Sequence, residues 1–353
     1  MSDRTVLAQG RAAPAWLSDF EPRRLLRNGH LQTLAGTFLP RKWSLPEPEN
    51  LLVEVEGPVG GYGPSYVLCQ CHWQPEKVRS ERLTIVIVHG LEGSSSSQYV
   101  LGNAARALAA GLNVVRMNMR SCGGTDEISP TIYHSGRSQD VAAVVRKIIE
   151  TQGPESVAVI GYSMGGNLVL KYAGEVADAP PPQLKAAVGV SPLMDLAVSS
   201  AALHEPQNRL YERHFLRSML ERVRRKAVLF PNIYSGHGLE KIRTMRLFDQ
   251  HIVARYGEFA GADEYYYSVA SSQFAARFRV PTLILHSLDD PFIRMLPATR
   301  VALIENPHVT YVETQYGGHC AFLSPAKNDD GYWAEKTLLG FLLQQTLEQE
   351  NGS

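Results

Sequence analysis

Short apolar, β-branched runs recur along the chain, and most are followed by a stretch with helical spacing. The run Leu83–Val88 (LTIVIV) shows almost no polar alternation, which suits a strand buried on both faces. Ser156–Ile160, Lys185–Val190, Thr282–His286 and Val309–Glu313 read as further strands. Leu51–Glu56, Tyr66–His72 and Leu112–Met117 complete the set. Helices are predicted over Gln98–Ala110, Ser138–Thr151, Asn167–Val176, Leu296–Ile304 and Gly331–Leu347. The proline tract Ala179–Pro182 stops the third of these. Strands alternating with helices imply an α/β fold, with a mostly parallel central sheet and helices on both faces. Residues 193–278 break the alternation, since they hold no convincing strand. An insertion there is expected to form a helical cap above the carboxyl ends of the strands, where such sheets bind ligands. The expected organisation is an N-terminal extension packed on the core (1–50), a first core part (51–192), the cap (193–278) and a second core part (279–353).

Composition narrows the function without naming it. The 353 residues are 44% apolar, enough for a large core, and 35 basic residues balance 35 acidic ones. That balance gives no electrostatic case for nucleic acid as a partner. The cysteines Cys69, Cys71, Cys122 and Cys320 lack zinc-like pairing and disulfide-dense spacing, so they read as reduced, small core residues. The N-terminal stretch has no apolar signal core, and no run reaches the roughly 18 apolar residues of a membrane span. The expectation is a cytoplasmic protein. Its oligomeric state is not written in the sequence.

The chemistry begins at Gly161-Tyr162-Ser163-Met164-Gly165, a G-x-S-x-G pattern between a buried strand and a helix. A serine hydroxyl is a poor nucleophile unless it is exposed beside a base. A sharp strand-to-helix turn pushes Oγ out of the sheet, and glycines leave room for that turn. The oxyanion of a tetrahedral intermediate needs two N–H donors. Met164, at a helix N-terminus, should supply one. Leu91, in His89-Gly90-Leu91-Glu92-Gly93 after LTIVIV, should supply the other. His89 precedes the serine and is assigned a structural role.

In this arrangement the acid and the histidine follow the nucleophile in the chain. Asp290, in His286-Ser287-Leu288-Asp289-Asp290-Pro291 after a strand, is the expected acid, with Asp289 as the alternative. The other aspartate should bond local N–H groups. Only His308 and His319 come later. His308 precedes a strand, at the wrong end, so His319 after Gly317-Gly318 is the expected base. No histidine spacing such as HExxH suggests a metal, and the chemistry requires no cofactor.

Further motifs lie outside this constellation: NGHLQTL (Asn28–Leu34), YHSGRSQD (Tyr133–Asp140), YYYSVASS (Tyr265–Ser272), LDDPF (Leu288–Phe292) and GGHCAF (Gly317–Phe322). With VHGLEG and GYSMGGN they make the chain resemble the YheT-like branch of the α/β-hydrolase superfamily, over most of its length. NGHLQTL is the most specific piece, because general α/β-hydrolases lack it. The resemblance implies an α/β-hydrolase fold with a helical cap and a Ser–Asp–His esterase or lipase, its triad falling on Ser163, Asp290 and His319. One departure is Ser121, where relatives often carry glycine.

The stretch Arg209–Lys226 is amphipathic, with Leu210, Phe215, Leu216, Met219, Leu220 and Val223 on one side and its arginines, Arg222 included, largely elsewhere. This suits a cap helix with a solvated basic face; weak contact with a membrane surface is the lesser expectation. The tyrosines Tyr265–Tyr267 are expected to pack the base of the cap. The leading expectation is therefore hydrolysis of a small-molecule ester or lipid through an acyl-enzyme. The alternatives are acyl transfer to an alcohol, cleavage of amides or carbon–carbon bonds, and a non-catalytic binding module on the same fold.

Overall fold

A computed structural model describes residues 6–7, 13–326 and 329–350. Parts of the expected N-terminal extension (1–5 and 8–12) and the last three residues lie outside the described residues. The strands are β1 (Val6–Leu7), β2 (Glu49–Glu56), β3 (Ser65–His72), β4 (Thr84–Val88), β5 (Asn113–Met117), β6 (Val157–Tyr162), β7 (Leu184–Val190), β8 (Thr282–Ser287) and β9 (Val309–Thr314). They form one sheet in the order β1-β9-β8-β7-β6-β4-β5-β3-β2. The six strands β4 to β9 run parallel, while β1, β2 and β3 join antiparallel at the edges. The α-helices of seven residues or more are α1 (Gly29–Phe38), α2 (Gln98–Ala109), α3 (Ser138–Gln152), α4 (Met164–Glu175), α5 (Leu196–Leu203), α6 (Arg209–Leu229), α7 (Ala262–Ser268), α8 (Pro297–Glu305) and α9 (Trp333–Glu350).

The unbroken apolar pattern of β4 reflects burial on both faces. Ile85 and Ile87 join a core with Val100 of α2 and Phe341 of α9, while Val86 and Val88 face Val144 and Ile148 of α3. At about 25 cal/mol per Å² of apolar surface removed from water, these two layers are the main favourable term of the fold. Between β7 and β8 the chain is helical, and no strand occurs there among the described residues. This insertion has its own apolar cluster, in which Leu216, Met219, Leu220 and Val223 of α6 meet Phe248, Ile252, Tyr265 and Tyr266.

Several sequence expectations need correction. Helix α4 starts at Met164, directly after the nucleophile candidate, rather than at Asn167. Gly165 and Gly166 have poor helix propensity, but a Cβ on Gly165 would lie 2.4 Å from the carbonyl oxygens of Val88 and His89, so close packing selects glycine. On α6, Leu210 is 81% exposed, whereas Arg222 and Lys226 are buried. Arg222 is drawn inward by the Glu92 carboxylate, and the Lys226 ammonium donates to the Asp126 carbonyl at 2.7 Å. Ser121 is fully buried with φ 62°, the left-handed region in which glycine is free of strain.

Candidate active site

The loops that follow β4, β6, β8 and β9 leave the sheet at one rim and carry the candidates Leu91, Ser163, Asp290 and His319. Ser163 sits at φ 55° and ψ −117°, a conformation that costs a non-glycine residue about 1–3 kcal/mol. Packing enforces it. A Cβ on Gly161 would lie 2.1 Å from the Gly165 carbonyl oxygen, and Ser163 N–H donates to the Val190 carbonyl at 2.9 Å. The Ser163 carbonyl accepts from Asn167 and Leu193, each at 3.1 Å.

The imidazole of His319 meets the carboxylate of Asp290, Nδ1 to Oδ2, at 2.8 Å. Asp290 Oδ1 accepts from the N–H groups of Phe292 at 3.1 Å and Ile293 at 2.9 Å, which fixes the carboxylate. Asp289 does something else: its Oδ1 accepts from Gly318 N–H at 2.8 Å and so holds the turn before His319. Ser163 and His319 line the same cavity, of about 750 Å³. Among the described residues no hydrogen bond joins them. The far ring nitrogen, Nε2, lies 3.6 Å from the Cys320 sulfur. Burial alone draws the His319 imidazole down, but the Cys320 sulfur and the Asp290 carboxylate outweigh it and hold the group above the ordinary histidine range.

Among the described residues, the N–H groups of Leu91 and Met164 donate to no other group. The loop that bears Leu91 is held from three sides. Gly90 N–H donates to Tyr99 Oη at 2.9 Å. His89 is fully buried: Nε2 accepts from Met119 N–H at 3.1 Å, which leaves Nδ1 to donate to the Gly90 carbonyl at 2.7 Å. Burial pushes this imidazole down to about 4, so it stays neutral and structural. Glu92 carries the third tie. Its carboxylate takes two bonds from Arg222 of α6 at 3.1 Å each, one from Tyr133 Oη at 2.5 Å, and one from Ser218.

Several positioning residues escaped the sequence reading. Cysteine 320 is only half-buried and adopts φ 63° beside His319, so it is not an ordinary core thiol. The NGHLQTL helix braces two loops of the site. Thr33 Oγ1 accepts from His319 N–H at 2.8 Å, and the Gln32 amide pairs with the Leu323 backbone at 2.9 and 3.2 Å. A Cβ on Gly29 would lie 1.7 Å from the Asp289 carbonyl oxygen, so the helix touches the acid loop where only glycine fits. Asn167 bonds the carbonyls of Ser135 and Val269 and accepts from Ser271 N–H, joining the nucleophile helix to YHSG and YSVASS. The only sequence signal for these roles was the motifs themselves.

A strand, a strained serine turn and a helix at the carboxyl rim of a doubly wound sheet define an α/β-hydrolase. The chain belongs to the alpha/beta hydrolase fold family, whose model matches residues 84–326. Within it the chain falls in the YheT-like branch: it is 30% identical over 330 residues to YheT of Escherichia coli (strain K12), covering 92% of this chain and 93% of that protein. Phospholipase ABHD3 of Homo sapiens is 27% identical, over 73% of this chain and 61% of that protein. Monoacylglycerol lipase of Saccharomyces cerevisiae is 26% identical, over 73% of this chain and 58% of that protein. The chain thus spans nearly all of YheT and about three fifths of the other two. Among solved structures, the Pyrococcus furiosus esterase Pf2001 matches with TM-score 0.51 at 15% identity, over 86% of this chain and 98% of that one, a likeness of fold alone. No helix among the described residues is long and apolar enough to cross a membrane.

Proposed function

We propose that the chain hydrolyses carboxylic esters through an acyl-enzyme on Ser163, with residues 193–278 serving as a cap over the site. Ser163 Oγ bonds to the acyl carbon while His319 Nε2 takes its proton. The Leu91 and Met164 N–H groups hold the oxyanion. The tetrahedral intermediate collapses as the leaving alcohol takes the proton from His319. Water then repeats the sequence and frees the acid. Asp290 keeps Nδ1 protonated and stabilises the imidazolium. The observation that carries the reading is the His319–Asp290 bond at 2.8 Å, on a wall shared with Ser163. The names of the lipase and phospholipase relatives are consistent with an amphiphilic ester as substrate.

A fluorophosphonate probe tests the mechanism. Labelling of the wild type that disappears in Ser163→Ala, together with turnover of p-nitrophenyl esters, is the expected outcome. Labelling that survives in Ser163→Ala, or its absence in a folded wild type, rules the mechanism out. Added glycerol separates hydrolysis from acyl transfer, since transfer yields a glyceryl ester above the uncatalysed background.

A further inference from the structure

Ser163 stands between two cavities. The wider one, of about 750 Å³, is also lined by His319. The narrower one, of about 100 Å³, is lined by Ser163 and Met164 but not by His319. In the proposed reaction the imidazole hands its proton to the leaving alcohol, so the alcohol lies on the His319 side. The acyl chain then enters the narrower cavity. A void of about 150 Å³ accepts a benzene-sized guest, so this cavity suits a short chain.

Much of its wall is apolar, including Leu203, Met219 and Val253, and its polar residues include His134, Ser135, Ser199 and Asp249. Asp249 is 8% exposed and lines the cavity. Tyr266 Oη donates to Asp249 Oδ2 at 2.6 Å and accepts from Ser200 Oγ at 2.9 Å. Among the described residues Asp249 Oδ1 has no protein hydrogen-bond partner. Asp249 also opens a five-residue π-helical turn, Asp249–Val253, closed by Ala254 N–H on the Asp249 carbonyl. Such turns are rare and recur at functional sites. A carboxyl group beside hydrocarbon is costly unless it is hydrogen-bonded, so a plain alkyl chain is a poor neighbour for this part of the wall. Burial pushes this carboxyl up to about 7, which lets it donate or accept near neutral pH.

We propose that Asp249, with Tyr266 and Ser200, forms a subsite for a hydroxyl group on a short acyl chain, so that the preferred esters are those of hydroxy acids. This rests on the acyl-enzyme reading above. The test compares ethyl pentanoate with ethyl 3-, 4- and 5-hydroxypentanoate, following acid release at constant pH. In the wild type one hydroxylated ester should exceed its parent in kcat/KM by about ten-fold or more. Asp249→Leu should abolish that ratio, and Asp249→Asn, which keeps a polar group, should retain part of it. Ratios are taken within each protein, so a general loss of activity does not confuse them. A wild type that favours ethyl pentanoate over all three, or an Asp249→Leu protein that keeps the hydroxyl preference, overturns the subsite. Fluorophosphonate labelling runs alongside. Its absence from the folded wild type defeats the acyl-enzyme reading itself, whereas labelling without hydroxyl preference defeats only the subsite.

Discussion

Substituting Glu92 by glutamine probes the link between the insertion and the loop of Leu91, the proposed oxyanion donor. The change keeps the shape of the side chain and removes its charge. The carboxylate is 7% exposed and faces an Arg222 guanidinium that is 10% exposed, so the pair is shielded from water. Burial tends to raise the Glu92 carboxyl, but Arg222, Ser218 and Tyr133 together hold it below the usual range. Breaking a buried pair from one side costs about 3–5 kcal/mol. Here Arg222 keeps Asp126 at 3.5 Å as a second partner, so about 2–3 kcal/mol is the better expectation. The sign with pH follows from the lowered carboxyl. Its stabilisation is present above the unfolded glutamate value and is lost as pH falls through the folded one. Glu92→Gln should therefore lower the Tm by several degrees at pH 7 and by less in acid. The functional effect passes through Leu91, the preceding residue. Deleting one oxyanion donor outright costs about 10²–10³ in kcat. A loosened donor should cost roughly ten-fold, with KM little changed. Steady-state hydrolysis of p-nitrophenyl butyrate, measured well below the variant's Tm, reads both constants. A kcat within two-fold of wild type beside a clearly lowered Tm would show that Glu92 only holds the fold together.

Two further substitutions address the histidine. The imidazole must be neutral to act as a base, and the Cys320 sulfur helps to raise its pKa. Cys320→Ala should therefore move the acid limb of the kcat/KM profile to lower pH; an unmoved limb between pH 5 and 10 refutes the coupling. Asp290→Asn leaves the Nδ1 proton without its anionic partner and should lower kcat by about 10³–10⁴. A loss below ten-fold would transfer the orienting role to another group, Asp289 first.

The fold was legible because burial on both faces writes itself as unbroken apolar runs. β4 and β6 were readable from composition alone, and the turn after β6 could be placed from its glycines. The candidate acid and base were drawn from chain order, and His319 lies against Asp290 rather than Asp289. The antiparallel edge pairing was less visible, since β2 alternates weakly between exposed and buried positions. Arg222 was misread for a different reason. Helical periodicity sorts residues by polarity, and it cannot see a carboxylate 130 positions away that draws a guanidinium inward. Cys320 was misread because a lone cysteine carries no pattern, and its meaning comes from the ring beside it.

The unexplained motifs share one physical cause. The candidate nucleophile, acid, base and oxyanion donor each leave the sheet on a separate loop, and no local sequence can set their mutual geometry. Polar contacts from distant segments fasten three of them, Thr33 and Gln32 of α1 to the His319 loop, Asn167 of α4 to the insertion and Glu92 to α6, while Gly29 packs closely against the Asp289–Asp290 loop. Each of these tethers is buried or partly shielded, where an unmade hydrogen bond costs more than a made one returns. A displaced loop would strand its partners, so the loops resist independent movement. The motifs NGHLQTL, YHSG and YSVASS therefore lie far from the serine in sequence and close to it in effect. Their residues set the distances on which the proposed proton transfer between Ser163 and His319 depends.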